Sequence, residues 1–141
     1  IFLIIVSFVT PEDAILKKVM IKNPDALCLD GSPAAYYILR GSDPSTIILY
    51  FDGGGWCGAS DLALTIEKCY QRSKGDLGSS KNFNDTMSFP EGILSNSINN
   101  SFRQATKIFL SYCDGAGHQG YRENPITYKD TKLYFRGHNI T

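Results

Sequence analysis

A short apolar segment followed by three consecutive glycines constrains this chain most. Residues 47–57 read Ile-Ile-Leu-Tyr-Phe-Asp-Gly-Gly-Gly-Trp-Cys. The β-branched and aromatic residues from Ile47 to Phe51 predict a buried strand of an α/β sheet. Gly53, Gly54 and Gly55 remove three side chains, so backbone N–H groups can face a ligand closely at the carboxyl end of that strand. Such a loop suits an oxyanion or a phosphate, although glycines alone are also typical of a tight turn.

Five further short motifs flank the glycine loop in a fixed order. One lies upstream, Ala26-Leu-Cys-Leu-Asp-Gly-Ser-Pro-Ala-Ala-Tyr36. Four lie downstream, and they are Leu77-Gly-Ser-Ser-Lys81, Gly92-Ile-Leu-Ser95, Tyr112-Cys-Asp-Gly-Ala116 and Leu133-Tyr-Phe-Arg-Gly137. Together with the loop, this ordered set closely resembles the pectin acetylesterase family, which includes the Notum carboxylesterases. The resemblance covers residues 26–140, nearly the whole chain after its first segment.

The resemblance implies a secreted serine esterase with an α/β-hydrolase-like fold. In such folds a glycine-rich loop after an early strand supplies one donor of the oxyanion hole. The resemblance therefore implies that the backbone N–H groups of Gly54 and Gly55 hold the oxyanion and that Trp56 lines the cleft. The implied substrate is an acylated polysaccharide such as pectin, from which acetyl groups are removed. An inactive glycan-binding member and a Notum-like protein O-deacylase are the alternatives.

The sequence does not contain the catalytic triad that the resemblance implies. It has no G-x-S-x-G motif, and neither His118 nor His138 corresponds to the family's catalytic histidine near the carboxyl end of the full protein. Ser111, Asp114 and His118 are close in sequence, but triads are defined by geometry rather than by residue types. We therefore interpret residues 26–141 as the amino-terminal part of a catalytic domain that is cut before the nucleophile. We expect a partial α/β-hydrolase-like fold that is inactive alone.

The charge balance bears on the class of partner. Lys and Arg together number 14, as do Asp and Glu, so the formal net charge is zero. A chain without net charge has no overall electrostatic attraction to nucleic acid or to an anionic membrane. Uncharged substrates therefore fit it better. With 43% hydrophobic residues the chain can bury one core, so we expect one domain at most and a monomer in the full-length protein.

The first ten residues are almost entirely apolar and begin Ile-Phe-Leu-Ile-Ile-Val. So short a stretch cannot cross a bilayer, which takes roughly 20 residues, but it matches the hydrophobic region of a signal peptide. We interpret residues 1–10 as a truncated signal peptide, with a buried strand as the alternative. We expect secretion to the extracellular space or cell wall. Three N-glycosylation sequons agree with this, at Asn84, Asn99 and Asn139, and the first two lie in polar, loop-like sequence.

Four cysteines, an even number, are typical of a disulfide-bonded secreted chain. They allow three pairings. We favour Cys57 with Cys69, which closes a short loop beside the glycines, and Cys28 with Cys113, which ties the amino-terminal segment to a central strand. Unpaired core thiols are the alternative. No C-x-x-C motif occurs and the two histidines lie outside zinc-ligand spacing, so we expect neither a metal nor another cofactor.

The hydrophobic pattern predicts further elements on both sides of the loop. Residues 11–25 carry a weak pattern, which we interpret as a short helix with Ala14, Ile15 and Val19 on one face. Residues 34–39 predict a strand that forms an antiparallel hairpin with residues 46–51 through the turn at 40–44. A helix is predicted from Asp61 to Arg72, with Ser60 as its N-cap and Leu62, Ile66 and Cys69 on one face.

The carboxyl-terminal half predicts one strong strand among loops. Residues 74–101 predict a long irregular connection whose aromatic side chains anchor it to the core. Residues 107–112 predict a buried strand that leads into a G-x-G-x-x-G pattern at Gly115, Gly117 and Gly120. A dinucleotide site needs an amphipathic helix directly after these glycines. Residues 121–125 are polar and interrupted by proline and cannot form one, so we do not expect nucleotide binding.

Overall fold

The computed structural model describes residues 13–141, which form seven strands and two helices. The predicted signal peptide at residues 1–10 lies outside this range. No helix within residues 13–141 is long and apolar enough to span a bilayer. The elements are β1 (Ala14–Met20), β2 (Ala35–Leu39), β3 (Asp43–Phe51), α1 (Leu62–Arg72), β4 (Thr86–Phe89), β5 (Ala105–Leu110), β6 (Ile126–Tyr128), β7 (Thr131–Leu133) and α2 (Gly137–Ile140).

Five strands form one mixed sheet in the order β3-β5-β2-β1-β4, and β6 pairs with β7 in a separate hairpin. β3 and β5 run parallel, with Leu49 opposite Ile108, whereas the other neighbours in the sheet run antiparallel. A parallel pair needs a long crossover connection, and α1 lies in the connection between β3 and β5. The sheet is therefore of α/β type at one edge and antiparallel at the other.

The predicted hairpin between β2 and β3 is wrong. β5 lies between these two strands and pairs with both. The reason is the turn at Gly41, which packs so closely on the backbone of Gln104 and Ala105 that a side chain there would clash. The N–H of Asp43 also donates to the carbonyl of Gln104 at 2.9 Å. The chain thus passes the beginning of β5, and β3 pairs on the far side of it.

The helix predicted within residues 11–25 is also wrong, because residues 14–20 form β1. Burial alternates along it: Ala14 and Leu16 are buried, whereas Ile15 and Lys17 are exposed. β1 lies between β2 and β4 and pairs with both. Ladder hydrogen bonds on two sides outweigh a weak local preference for helix.

The connection at 74–101 is less irregular than predicted, because Thr86–Phe89 forms β4 and pairs with β1. Its aromatic residues do anchor it to the core, as predicted. The Phe89 ring lies 5.3 Å from that of Phe109, and Phe83 packs on the cluster that contains Cys28 and Cys113. A four-residue strand at a sheet edge carries too little pattern to stand out in sequence.

β3 is a strand, as predicted, but it is not buried. Ile47, Leu49 and Phe51 are 63%, 52% and 49% exposed. β3 is the edge strand of the sheet, and within residues 13–141 no element covers this side of it. Tyr50, on its other face, stacks on Phe109 with ring centroids 5.4 Å apart.

α1 occupies nearly the predicted range, but Asp61 rather than Ser60 is its N-cap. The Asp61 carboxylate accepts from the N–H of Leu64 at 2.8 Å, which satisfies a donor in the first turn. Cys69 is buried and Ile66 is partly buried, as the helical face predicts. Leu62, at the first residue of the helix, is 70% exposed, so burial on this side begins only at Ile66.

A polar cluster docks the β6–β7 hairpin on α1. Tyr128 donates to Glu67 Oε2 at 2.6 Å, and Lys129 Nζ lies 2.9 Å from the same oxygen. Gln71 donates to Glu67 Oε1 at 2.7 Å. These bonds, with that from Tyr128 first, lower the pKa of Glu67 from its ordinary 4.5 to about 2. The cluster is therefore strongest while Glu67 is ionised.

We expect the protein to lose thermal stability through this cluster as the pH falls from 4.5 toward 2. The pKa of Glu67 is lower in the folded than in the unfolded protein, so its contribution is complete above pH 4.5 and is lost as the pH falls through about 2. Melting temperatures recorded across that range measure the effect. Glu67→Gln should reduce the slope, whereas Glu91→Gln, at an exposed carboxylate, should not. Equal slopes in wild type and Glu67→Gln would contradict this account.

Candidate active site

The glycine loop follows β3 and is held at both ends. At its beginning, the carbonyl oxygen of Asp52 lies 2.9 Å from His118 Nε2. At its end, the N–H of Cys57 donates to the carbonyl of Gly115 at 3.0 Å. The disulfide from Cys57 to Cys69 ties this end to α1 as well. The loop is therefore fixed to two separate parts of the fold.

Between these ends the loop presents a run of unpaired backbone donors. The N–H of Gly53 lies 2.9 Å from the carboxylate of Asp52. Within residues 13–141, the N–H groups of Gly54, Gly55 and Trp56 have no hydrogen-bond acceptor. Such a run at the carboxyl end of a strand can hold a developing negative charge.

Two of the glycines are required by the geometry. A Cβ at Gly54 would lie 2.6 Å from Leu77 Cδ2 and 2.9 Å from Tyr112 Cδ1, so there is no room for a side chain. Gly55 has space around it, but its φ of +70° lies in the left-handed region that favours glycine. Gly53 has open space for a Cβ and no left-handed φ, so neither requirement for glycine applies to it.

Side chains from α1 and from the segment after β5 bind the carbonyl oxygens of the loop. Arg72 Nη1 donates to the carbonyl of Gly54 at 3.0 Å and also to that of Gly55. The Tyr112 hydroxyl donates to the carbonyl of Gly55 at 2.9 Å. Burial raises the pKa of Tyr112, so its hydroxyl stays protonated at neutral pH and remains a donor.

The segment after β5 forms a second tight loop that packs against the first. The buried carboxylate of Asp114 accepts from the N–H groups of Ala116 and His118, at 3.1 and 3.0 Å. Gly115 has a φ of +68° and lies against Cys57, where a Cβ would be 2.7 Å from Sγ. The next elements after Gly120 are β6 and β7, so the G-x-G-x-x-G pattern here builds a structural turn without the helix of a dinucleotide site.

Ser111, Asp114 and His118 do not form a local triad. Asp114 binds backbone N–H groups, and His118 Nε2 faces the carbonyl of Asp52. Ser111 Oγ and His118 Nδ1 are both buried and have no partner within residues 13–141. In the same range no group of three or more His, Cys, Asp or Glu residues could hold a metal ion.

Trp56 is 76% exposed at the end of the glycine loop. It borders an open, mainly apolar cavity of about 320 Å³. Residues from α1 and from three loop segments line this cavity, among them Cys57, Thr65, Gly115 and Phe135. The cavity thus lies beside the carboxyl-terminal end of the glycine loop.

Both disulfides have the pairing that the sequence favoured. Cys28 pairs with Cys113 and Cys57 with Cys69, and the Cα atoms are 4.9 Å apart in each pair. No cysteine in the part of the chain that the structure describes is free. Each disulfide lies within a buried apolar cluster. The sequon residues Asn84 and Asn99 are exposed, whereas Asn139 in α2 is half-buried.

The sequence profile of the family described as Pectinacetylesterase matches residues 9–141. The chain belongs to the pectinacetylesterase family. Pectin acetylesterase 5 of Arabidopsis thaliana is 34% identical over 138 residues, which cover 94% of this chain and 30% of that protein. Pectin acetylesterase 4 of the same organism is 37% identical over 123 residues, which cover 84% and 28%. The chain thus spans less than a third of the length of these relatives.

Animal members of the pectinacetylesterase family are similar too. Inactive palmitoleoyl-protein carboxylesterase notum1b of Danio rerio is 30% identical over 119 residues, which cover 74% of this chain and 82% of that protein. The structure of the Wnt deacylase Notum from Drosophila aligns with a TM-score of 0.74 and 25% identity, over 89% of this chain and 35% of that chain. Notum has an α/β-hydrolase fold, so the predicted partial α/β-hydrolase-like fold is confirmed.

The pectinacetylesterase motifs identified the glycine loop in the sequence, but not the side chains that support it. Arg72 is an ordinary last-turn residue of a helix, and its partners in the loop are 17 and 18 residues away. The contact from Tyr112 to Gly55 spans 57 residues. The one available signal was the place of Tyr112 at the head of the Tyr112–Ala116 motif.

Proposed function

We propose that this chain is the amino-terminal part of the catalytic domain of a secreted serine carboxylesterase. The observation that carries the proposal is the pair of N–H groups at Gly54 and Gly55, at the carboxyl end of β3, which have no hydrogen-bond acceptor within residues 13–141. Membership of the pectinacetylesterase family supports ester hydrolysis as the reaction. Because the chain spans 30% of pectin acetylesterase 5, the nucleophile is proposed to lie in the remaining polypeptide.

In the proposed reaction, a serine hydroxyl attacks the carbonyl carbon of the ester while a histidine accepts its proton. The carbonyl oxygen becomes an oxyanion, and the N–H groups of Gly54 and Gly55 donate hydrogen bonds to it. The bond to the alcohol then breaks, the alcohol leaves with the proton, and water hydrolyses the acyl-enzyme. Donors that the fold holds in place need little reorientation during the reaction, and losing one typically lowers kcat by about 100- to 1,000-fold. No cofactor takes part.

The substrate we propose is an O-acetylated cell-wall polysaccharide such as pectin. The similarity to pectin acetylesterases 5 and 4 supports it. The exposed ring of Trp56 beside the loop also offers an aromatic face to a bulky substrate. A Notum-like protein O-deacylase is the alternative, supported by the similarity to Drosophila Notum. Release of acetate from acetylated pectin, compared with release of a fatty acid from an acylated peptide, distinguishes the two.

Hydrolysis of p-nitrophenyl acetate tests the proposed reaction. We expect the complete protein to hydrolyse this ester and phenylmethylsulfonyl fluoride, a serine reagent, to block it. The 141-residue chain alone should show no turnover, because donors without an attacking group cannot provide the covalent route. Reagent-sensitive turnover by the 141-residue chain, or none by a folded complete protein, would contradict the proposal.

A second candidate is an inactive, secreted glycan-binding protein. It is supported by notum1b of Danio rerio, which is named inactive and of which this chain covers 82%. In that case the glycine loop is purely structural. A complete protein that binds pectin fragments but releases no acetate from them would favour this candidate over the esterase.

We further propose that the protein is secreted and N-glycosylated, with the truncated signal peptide at residues 1–10. Two disulfides and the exposure of Asn84 and Asn99 support this. After expression in a glycosylating host, an endoglycosidase should increase the electrophoretic mobility of the protein. The double change Asn84→Gln and Asn99→Gln should remove most of that shift, whereas Asn139→Gln should remove less. An unchanged mobility of wild type would contradict glycosylation.

A further inference from the structure

Arg72 is the last residue of α1, and its side chain reaches back to the glycine loop. Its Nη1 lies 3.0 Å from the carbonyl oxygen of Gly54 and also donates to that of Gly55. A guanidinium stays charged at any physiological pH and offers several donors in a rigid plane. One side chain therefore holds two successive peptide groups of the loop.

Holding a carbonyl oxygen also orients the next N–H group. In a planar trans peptide, the C=O of one residue and the N–H of the following residue point in opposite directions. When Arg72 binds the carbonyl of Gly54, it turns the N–H of Gly55 away from itself. When it binds the carbonyl of Gly55, it does the same for the N–H of Trp56. These are two of the unpaired N–H groups of the loop.

Binding these carbonyl oxygens also favours a negative charge on the other side of the loop. A peptide whose C=O accepts a charge-assisted hydrogen bond is more polarised, and its N–H is a better donor. Without Arg72, the carbonyl of Gly54 would lose this hydrogen bond, and the peptide between Gly54 and Gly55 would be freer to rotate and to turn that carbonyl toward the oxyanion. The Tyr112 hydroxyl, 2.9 Å from the carbonyl of Gly55, acts in the same direction on one of the two peptides.

The position of Arg72 is itself well fixed. The disulfide between Cys69 and Cys57 joins the last turn of α1 to the end of the loop. The backbone carbonyl of Arg72 accepts from the N–H of Gly75 at 3.0 Å. Gly78 packs on the same carbonyl so closely that a side chain there would clash. A cation at this end of a helix is also favoured by the helix dipole.

We propose that Arg72 is a positioning residue, which holds the carbonyl oxygens of Gly54 and Gly55 and thereby orients the N–H of Gly55, one of the two proposed oxyanion donors, and the N–H of Trp56 next to it. This rests on the proposed esterase function. Arg72 itself does not touch the substrate in this account. Its loss should therefore slow the chemical step and leave substrate binding unchanged.

The test compares variants of the complete protein in hydrolysis of p-nitrophenyl acetate. Arg72→Met keeps much of the side-chain length but no donor, and we expect kcat to fall about 10- to 100-fold with KM unchanged, as for a small misplacement of a catalytic group. Arg72→Lys can still bind one carbonyl and should recover part of the rate. Lys68→Met, at an exposed lysine of the same helix, is the matched control and should behave as wild type. Circular dichroism confirms folding of each variant.

A second measurement does not depend on activity. With 13C-carbonyl glycine and 15N-tryptophan labels, the Gly55–Trp56 pair gives a cross-peak that Trp56→Phe identifies by its loss. Arg72→Met removes one of the two hydrogen bonds to the Gly55 carbonyl and keeps that from Tyr112, so the carbon resonance should shift in Arg72→Met but not in Lys68→Met. This spectroscopic change shows that Arg72 holds the loop even where no turnover is measured.

The outcomes separate this proposal from the esterase function. If wild type hydrolyses the ester and folded Arg72→Met has the same kcat, the role of Arg72 is refuted and the esterase function stands. If wild type hydrolyses no ester, the esterase function fails, and with it the catalytic part of this proposal. An unchanged Gly55 carbonyl resonance in Arg72→Met would refute the structural part in either case.

Discussion

Replacing Gly55 by proline should lower kcat of the complete protein, in its proposed esterase reaction, by about 100-fold or more, because the variant lacks a proposed oxyanion donor. Proline has no backbone N–H, and its φ is restricted to about −65°. Gly55 has a φ of +70°, so the loop must also change its path. Hydrolysis of p-nitrophenyl acetate measures the effect, and circular dichroism checks folding. The missing N–H and the changed path of the loop act together, so we expect this substitution to have one of the largest effects of any single change.

Two other glycine substitutions separate the lost donor from the changed path. Gly55→Ala keeps the N–H and has open space for its Cβ, but a non-glycine residue with left-handed φ costs about 1–2 kcal/mol. It should lower stability and reduce kcat much less than proline does. Gly53→Ala meets no neighbour within 4 Å and should resemble wild type. Near-normal kcat in a properly folded Gly55→Pro variant would refute the role of this N–H.

Removing the Cys28–Cys113 disulfide should destabilise the protein more than removing the Cys57–Cys69 disulfide. The first joins residues 85 positions apart and the second residues 12 positions apart. In the chain-entropy account, each cross-link lowers the entropy of the unfolded chain. This stabilises the folded protein by about 4–5 kcal/mol for the first disulfide and about 3 kcal/mol for the second. All four cysteines are buried, so alanine pairs leave similar small cavities. The comparison therefore isolates the length of the closed loop.

Urea unfolding of the two double-alanine variants, expressed through the secretory pathway, measures this difference. The variant without Cys28–Cys113 should have the lower midpoint. Non-reducing peptide mapping of wild type should recover both cross-linked peptides and no free thiol from these cysteines. Equal midpoints would contradict the chain-entropy account. Free thiols at all four positions would contradict the disulfides and the proposed secretion together.

The elements that sequence predicted well are those with strong local signals. α1 has an N-cap within one residue of the predicted position and a partly buried apolar face. β5 contains three consecutive apolar residues, Ile108 to Leu110, and the strand begins two residues before the predicted one. β1 and β4 were missed because each depends on the other: Ile15 pairs with Ser88 and Leu16 with Met87 across 71 and more residues of chain. Neither segment carries enough pattern of its own.

The exposed β3 illustrates the same limit. Its apolar composition predicts a strand correctly, since β-branched and aromatic side chains favour extended backbone. Composition does not reveal whether a strand lies at the edge or in the middle of a sheet. That depends on the turn at Gly41, which passes the beginning of β5 and places β3 beyond it. A contact between residues more than 60 positions apart decides the outcome.

Motifs and residue types were enough to identify the family, the place of the glycine loop after a strand and the cysteines that pair. These features depend on motifs and on residue types, which can be recognised without a structure. The strand order, and the contacts of Arg72, Tyr112 and His118 with carbonyl oxygens in and next to the loop, became known from the fold alone. The physical reason is that a hydrogen bond to a backbone carbonyl requires a donor at the right distance and angle, but no particular residue type at its acceptor. Such contacts leave no pattern in the residues that receive them.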